Sequence, residues 1–307
     1  KVPFISYPYE WSFSMLRDAA LLHLRLMTDA VEAGWVLKDS SAYNIQFMGG
    51  RPVFIDIPSF EPREEGAPWQ GYRQFCMMFL YPLMLKAYRG IEFTPILRSD
   101  LEGIDPQTAN RLLTGKTRFR KGVLSHVALH ARMQERAAAS ELEEAKRLTE
   151  DRKGAVEKRV YSRQSKTMLL ATIDGLRRTI AKMRSPESRT TWGNYDTDHS
   201  YSDSSLDQKK AFVAKHAADR PREMIWDIGC NTGTFSRLCE AHCNNVVSID
   251  GDPKAIERLY LHEKERDSSK LLPLVVNLGN VSPAQGWRGA ERKTLEQRGR
   301  PDLVLCL

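Results

Sequence analysis

The sequence predicts an α/β chain whose C-terminal third is a doubly wound parallel sheet. Three observations predict it. From Glu223 onward, near-continuous apolar runs alternate with helix-forming stretches, as buried parallel strands alternate with crossover helices. The first run ends in an acid and a turn with two glycines, MIWDIGCNTGTFS over 224–236. The stretch before it is first rich in Ala, Glu, Lys and Arg and then polar, which suits a helical linker. The expected organisation is an α+β segment over 1–130, a helical linker over 131–190 and the sheet domain over 191–307.

The bulk figures fit this division. A chain of 307 residues, 41% hydrophobic and 28% charged, has room for two soluble domains. No apolar run approaches the ~20 residues of a spanning helix. The opening KVPFISYPYEW lacks the apolar core and cleavage site of a signal peptide. A cytoplasmic protein with no membrane partner is the expectation. Five cysteines, an odd number, fit reduced thiols better than a disulfide framework. Cys239, His242 and Cys243 raise the question of zinc, but no second ligand pair lies at finger spacing. The net charge of +7 and pI near 9.1 permit a nucleic-acid partner, though no motif indicates one.

The elements follow in order. Leu16, Ala20, Leu24, Met27 and Val31 recur at helical spacing over 13–35, and Gly34 ends the pattern. IQF and VFI form a hairpin around Met48-Gly49-Gly50-Arg51. Pro68 to Tyr88 is aromatic-rich and apolar, a buried helix. Glu143 and Arg147 stand four apart in the linker, in the favourable order for a surface ion pair, and Gly154 interrupts that helix. Leu169, Ile173, Leu176, Ile180 and Met183 then form a short heptad seam. The seam packs on the chain's own neighbours or, alternatively, carries a dimer through the 165–184 helix. Ser185-Pro186 stops it.

MIWDIG, NVVSID, LLPLVV and DLVLCL are the four strands of the sheet. Ligands of such sheets bind at the carboxyl ends of the strands, where Gly229 and Gly233 stand. Glycine lets the backbone turn sharply and approach a ligand closely, and the helix behind the turn offers unpaired N–H groups. Asp250 lies 23 residues after Asp227, at the tip of the next strand, where an acid can accept from ribose hydroxyls. Pro253 suits a helix start. The turn reads D-x-G-x-x-x-G and not the G-x-G-x-x-G of dinucleotide sites, so Asp227 argues against a pyrophosphate.

On these residues the segment from about 192 to 307 resembles the class I S-adenosylmethionine-dependent methyltransferases, whose first motif is matched by Asp227, Gly229 and Gly233. The resemblance implies a Rossmann-like sheet. It implies that the turn, with Cys230 and Asn231, wraps the amino-acid part of S-adenosylmethionine. Asp250, followed by Gly251 and with Asp252 as an alternative, would bind the ribose. Asn277, where the family often has Asp, would approach the adenine. A complete domain of that family has seven strands, and this sequence stops on the fourth, which suggests a fragment. No methyl-transfer base is assigned. Tyr195, Tyr201 and Lys209 are candidates to line the site, with surface and packing roles the blander reading.

The front half holds a second constellation, LKDSSAYNIQFMGGRPVFID. Asp39 precedes Asn44 by five residues and Asp56 ends the hairpin. A hydroxyl-activating base and oxygen ligands for magnesium are what phosphoryl transfer needs. The segment resembles the C-lobe of kinase-like and aminoglycoside-phosphotransferase-like proteins, with ISYPYEW in the place of the hinge. The resemblance implies Asp39 as base, Asn44 and Asp56 as magnesium ligands, and ATP as cofactor. Leu37-Lys38 departs from the residues usual before the acid. No glycine-rich loop or phosphate-binding lysine precedes it: either those parts would lie before Lys1, or the segment is a degenerate scaffold, or the match of so short a motif is coincidence. The combination also looks like bacterial methyltransferases associated with nodulation proteins.

The expected function is methyl transfer from S-adenosylmethionine to an unidentified acceptor, a small molecule or glycan ahead of RNA. The alternatives are a phosphotransferase using Asp39, Asn44 and Asp56, and a non-catalytic interaction scaffold using the helices of 131–184.

Overall fold

The computed structural model describes residues 1–133, 164–186 and 203–307. Tyr195, Tyr201, the Glu143–Arg147 pair and Gly154 lie outside the described residues.

The N-terminal segment begins with helix α1 (Phe13–Glu32). Gly34 ends it in the left-handed region, at φ +85°, as the sequence predicts. Two antiparallel pairs follow, one nested in the other. Strands β2 (Ile45–Met48) and β3 (Arg51–Phe54) form the hairpin, with Met48 opposite Arg51. The connection is therefore only Gly49-Gly50, shorter than the expected four-residue loop. Gly49 adopts φ +57°, and a Cβ there would fall 2.3 Å from the Ser268 carbonyl oxygen. Strands β1 (Trp35–Leu37) and β4 (Phe60–Pro62) pair outside the hairpin.

The expected helix of Pro68–Tyr88 is three pieces run together: α2 (Tyr72–Phe75), a π-turn over Cys76–Leu80, and α3 (Tyr81–Arg89). Short helices α4 (Thr94–Ser99) and α5 (Pro106–Leu112) follow, and a helix that begins with a π-turn over Leu124–Ala128 closes the segment. Helix α6 (Lys166–Ala181) carries the heptad seam. Leu169, Ile173, Leu176, Ile180 and Met183 are all buried within the chain itself, against α1. A dimer contact through this helix would have to use its other face.

The C-terminal part contains α7 (Asp203–Ala218), β5 (Arg222–Ile228), α8 (Thr234–Glu240), β6 (Cys243–Asp250), α9 (Pro253–Glu265), β7 (Leu271–Val275) and β8 (Leu303–Cys306). All four strands are parallel, in the order β7-β6-β5-β8. The chain winds from β5 to β7 and then crosses back to the far side of β5. Pro253 opens α9, and the Asp252 side chain caps it by accepting the Lys254 N–H at 2.8 Å, as such residues do at helix starts.

Strand alternation assigns the two faces. Ile225, Val246 and Leu271 share an apolar cluster with Val213, Cys239, Ile256 and Leu259, from α7, α8 and α9. Trp226, Val247, Ile249 and Leu274 instead join the cluster of the N-terminal segment. Phe4 meets Trp226 edge-on at 6.0 Å, and Phe47 of the hairpin meets Tyr260 at 5.9 Å. The first half of the chain thus covers one face of the sheet built by the second half.

Polar contacts pin this junction. The Arg298 guanidinium reaches both Glu10 oxygens at 2.6 and 2.7 Å, and both side chains are almost wholly buried. Ser14 donates to Glu257 through its hydroxyl at 2.6 Å and its N–H at 2.9 Å. Tyr260 and Lys264 both donate to Asp18.

Candidate functional site

The carboxyl ends of β5, β6 and β7 meet at one edge. The chain turns at once after Ile228. The Gly229 and Cys230 N–H groups both donate to the Ile249 carbonyl, at 2.8 and 3.1 Å, and the Gly233 N–H donates to the Cys230 carbonyl at 2.9 Å. Gly229, Asn231 and Gly233 all have positive φ, at +78°, +49° and +83°. Glycine takes such angles without strain, and Asn tolerates them better than most residues.

The two motif glycines have different jobs. A Cβ on Gly233 would lie 2.4 Å from Leu259 Cδ1, so Gly233 lets α8 pack on α9. A Cβ on Gly229 would meet nothing within 4 Å. The space in front of Gly229 is open.

Asp250 closes the other side of that space. Its Oδ2 accepts the Asn231 N–H at 2.9 Å and its Oδ1 accepts the Asp252 N–H at 2.8 Å. A carboxylate offers about four lone-pair positions, so each oxygen keeps one for a further donor. Gly251 is exposed and a Cβ there would have no neighbour closer than 3.9 Å. The Val276 N–H donates to the Asp250 carbonyl at 2.9 Å, which sets Asn277 beside Asp250-Gly251. The Asn277 side chain accepts the Gly279 N–H at 2.8 Å and is otherwise exposed.

Asp227 sits beneath the turn. It is 1% exposed. Ser236 Oγ donates to its carboxylate at 2.6 Å, and Ser248 Oγ donates on to Ser236 at 2.9 Å. Burial pushes its pKa above the usual carboxylate value, against the lowering by Ser236. Its place makes it an anchor of the turn. Ser236 and Ser248 were not found from the sequence; the one signal is a serine on the helix after the turn, nine residues beyond Asp227. The Cys230 thiol is buried and burial raises its pKa, which disfavours the thiolate. Lys209 Nζ lies 5.3 Å from the centre of the Phe235 ring.

Cys239 and Cys243 are buried free thiols. Burial pushes them up to about 12 and about 11, against the thiolates zinc needs. Among the described residues no group of three or more His, Cys, Asp or Glu stands ready for a metal.

The second constellation is assembled by the nested strand pairs. Asp39 follows β1 by two residues, Asn44 directly precedes β2, and Asp56 follows β3 by two. The Lys38 N–H donates to the Ser59 carbonyl at 3.0 Å, and the Ile55 N–H to the Asn44 carbonyl at 2.9 Å. The pairing therefore gathers the three residues at one group of loops. Asp39 is exposed, while Asn44 and Asp56 are partly buried. Asn44 Nδ2 is buried without a partner. His23 supports this loop from below, with Nε2 3.1 Å from Ser40 Oγ. Its ring stacks among Trp69, Phe75 and Phe79, and burial pulls its pKa down to about 3.

No family model matches the chain, and no solved structure matches it. A curated protein does. The chain is 34% identical to the nodulation protein NoeA of Rhizobium meliloti (strain 1021) over 309 aligned positions. The alignment covers 99% of this chain and 62% of NoeA, so the chain spans less than two thirds of that relative. The aligned stretch spans both halves of the chain.

Proposed function

We propose that the edge at Gly229, Asp250 and Asn277 is an S-adenosylmethionine site and that the chain is part of a methyltransferase. The observation that carries the reading is the place of the glycine turn. The winding of the sheet reverses at β5, and ligands of open parallel sheets bind in the crevice at such a switch point, beyond the strands' carboxyl ends. Gly229 turns there with open space before it, and Asp250 beside it has lone pairs left to accept.

The residues fit the cofactor. The backbone of 229–231 would border its amino-acid part, Asp250 would accept from the ribose hydroxyls, and Asn277 would face the adenine. When bound, it supplies a methyl group on a positively charged sulfur. Asp227 holds the turn from below, and Gly233 fixes α8 on α9. Helix α8 has only seven residues, so the turn and Asp250 carry the site. The acceptor we propose is a small molecule or glycan, because the net charge of +7 is modest and no RNA-binding module is present in the sequence. The similarity to NoeA extends the proposal to a role in nodulation.

Calorimetric titration with S-adenosylmethionine tests this. The parent should bind, and folded Gly229→Val and Asp250→Ala variants should bind at least tenfold more weakly. No binding by the folded parent would overturn the reading.

A second reading rests on the loops of Asp39, Asn44 and Asp56. The unpartnered Asn44 Nδ2 and the gathering of three phosphotransfer residue types favour it. Asn44 and Asp56 would hold magnesium, and Asp39 would take the proton of an acceptor hydroxyl. Magnesium-dependent ATP binding, abolished by Asp56→Ala, is its expected signature.

A further inference from the structure

The surface formed by residues 115–133 takes part in neither reading. Lys116, Arg118, Arg120 and Lys121 fall within six residues and all are exposed. No acid occurs between Asp105 and Glu135. Among the described residues, Arg118 reaches the side-chain oxygen of Asn110, at 3.5 Å.

The same stretch of chain exposes large apolar side chains. Phe119 is 86% exposed, Leu124 56%, Leu129 55% and Met133 61%. They are not scattered. A π-turn spans Leu124–Ala128, and its i→i+5 bonding sets residues five apart on one side of the helix. Leu124 and Leu129 therefore share a face, and Met133 follows four residues later. Val123, Val127 and Ala131 are buried on the opposite side. The helix is apolar on both faces, and among the described residues one face meets the core while the other is exposed.

We propose that this face docks on an anionic lipid bilayer. The apolar side chains would enter the headgroup boundary, and the basic ones would lie against lipid phosphates. The apolar set decides between a bilayer and single-stranded nucleic acid. Nucleic-acid grooves offer aromatic faces on which successive bases stack. Of this patch's exposed large apolar side chains only Phe119 is aromatic, beside two leucines and a methionine, which suit acyl chains, while the His126 and His130 rings turn inward against Tyr72 and Tyr81. The contact is peripheral. It needs no spanning segment, and no helix among the described residues is long and apolar enough to cross a membrane.

The test is sedimentation of the intact protein with vesicles. It should pellet with vesicles of phosphatidylcholine and phosphatidylglycerol, far less with phosphatidylcholine alone, and less as salt rises. Arg118→Gln with Arg120→Gln should weaken binding by about 25-fold, roughly fivefold per charge. Phe119→Ser should weaken it without changing the S-adenosylmethionine titration. Both changes lie on exposed side chains, and circular dichroism confirms that the variants fold. Equal binding to both vesicle types, or equal binding by all variants, would overturn the proposal. So would capture of single-stranded RNA through the same residues by a protein that ignores vesicles.

Discussion

The glycine turn and the loops of Asp39, Asn44 and Asp56 are two solutions to the same problem of presenting polar groups at a sheet edge. The glycine turn is contiguous, and backbone does most of the work. Three positive φ angles and a shared carbonyl acceptor, Ile249, fix it. The loop cluster draws on positions 39 to 56, and nested strand pairs bring them together. Their buried supports also differ in kind. Asp227 anchors the turn as a buried carboxyl whose pKa is raised. His23 supports the loops as a buried imidazole whose pKa is lowered. A contiguous motif needs one anchor under it, whereas a dispersed one depends on the packing of everything around it.

The largest test is whether the two regions stand or fall together. Glu10→Ala leaves the buried Arg298 guanidinium without its counter-charge, which costs about 3–5 kcal/mol. Urea denaturation followed by fluorescence should show one weakened transition. Two separate transitions would mean that the regions are independent bodies.

The next test separates the two glycines. Gly233→Ala meets both a positive φ and Leu259, and should cost about 2–4 kcal/mol in thermal denaturation. Gly229→Ala meets only the positive φ and should cost about 1–2 kcal/mol. Of the two, Gly229→Ala should show the greater loss of S-adenosylmethionine binding per kcal/mol of lost stability. Equal losses would erase the division of labour between them.

Acid then tells the supports apart. Below about pH 6.5 the unfolded chain protonates His23, while the buried ring resists until about 3. Falling pH therefore destabilises the protein by about 1.4 kcal/mol per unit through this group. His23→Leu should remove that slope between pH 6.5 and 5, measured by urea denaturation at each pH.

The smallest effect has the opposite sign. Asp227 has a raised pKa in the folded state, so its contribution is fullest below its unfolded value and is lost as pH rises through the folded one. Asp227→Asn keeps a side-chain oxygen for Ser236 and removes the buried charge. The stability of the parent relative to this variant should rise as pH falls through the carboxylate range. A difference independent of pH would show that Asp227 titrates alike folded and unfolded.

Much of the C-terminal sheet was legible because its signals are local. MIWDIG, NVVSID, LLPLVV and DLVLCL are apolar runs long enough to be strands, and each overlaps one, although β5 and β6 begin two residues earlier than their runs. Pro253 and Gly34 mark helix boundaries through their own backbone preferences. The glycine turn was legible for the same reason, since D-x-G-x-x-x-G states a backbone geometry. The Gly49-Gly50 loop was misjudged by two residues, because strand ends depend on pairing partners as well as on composition. The roles of Gly229 and Gly233 could not be separated, because only the position of Leu259 distinguishes them.

The sequence by itself determined the order of elements, the strands of the parallel sheet, and the turn with its neighbouring acid. These follow from hydrophobic periodicity and from what glycine and proline allow, which are properties of short stretches. Only the tertiary structure decided what covers the second face of the sheet. Trp226 and Ile249 read as apolar wherever they point, yet they meet Phe4 and the cluster around the hairpin. The same is true of Glu10 and Arg298, separated by 288 residues and joined as a buried pair. Contacts between residues so distant in sequence leave no periodic trace. They arise because a sheet must bury both its faces, and here the first half of the chain supplies one of the covers.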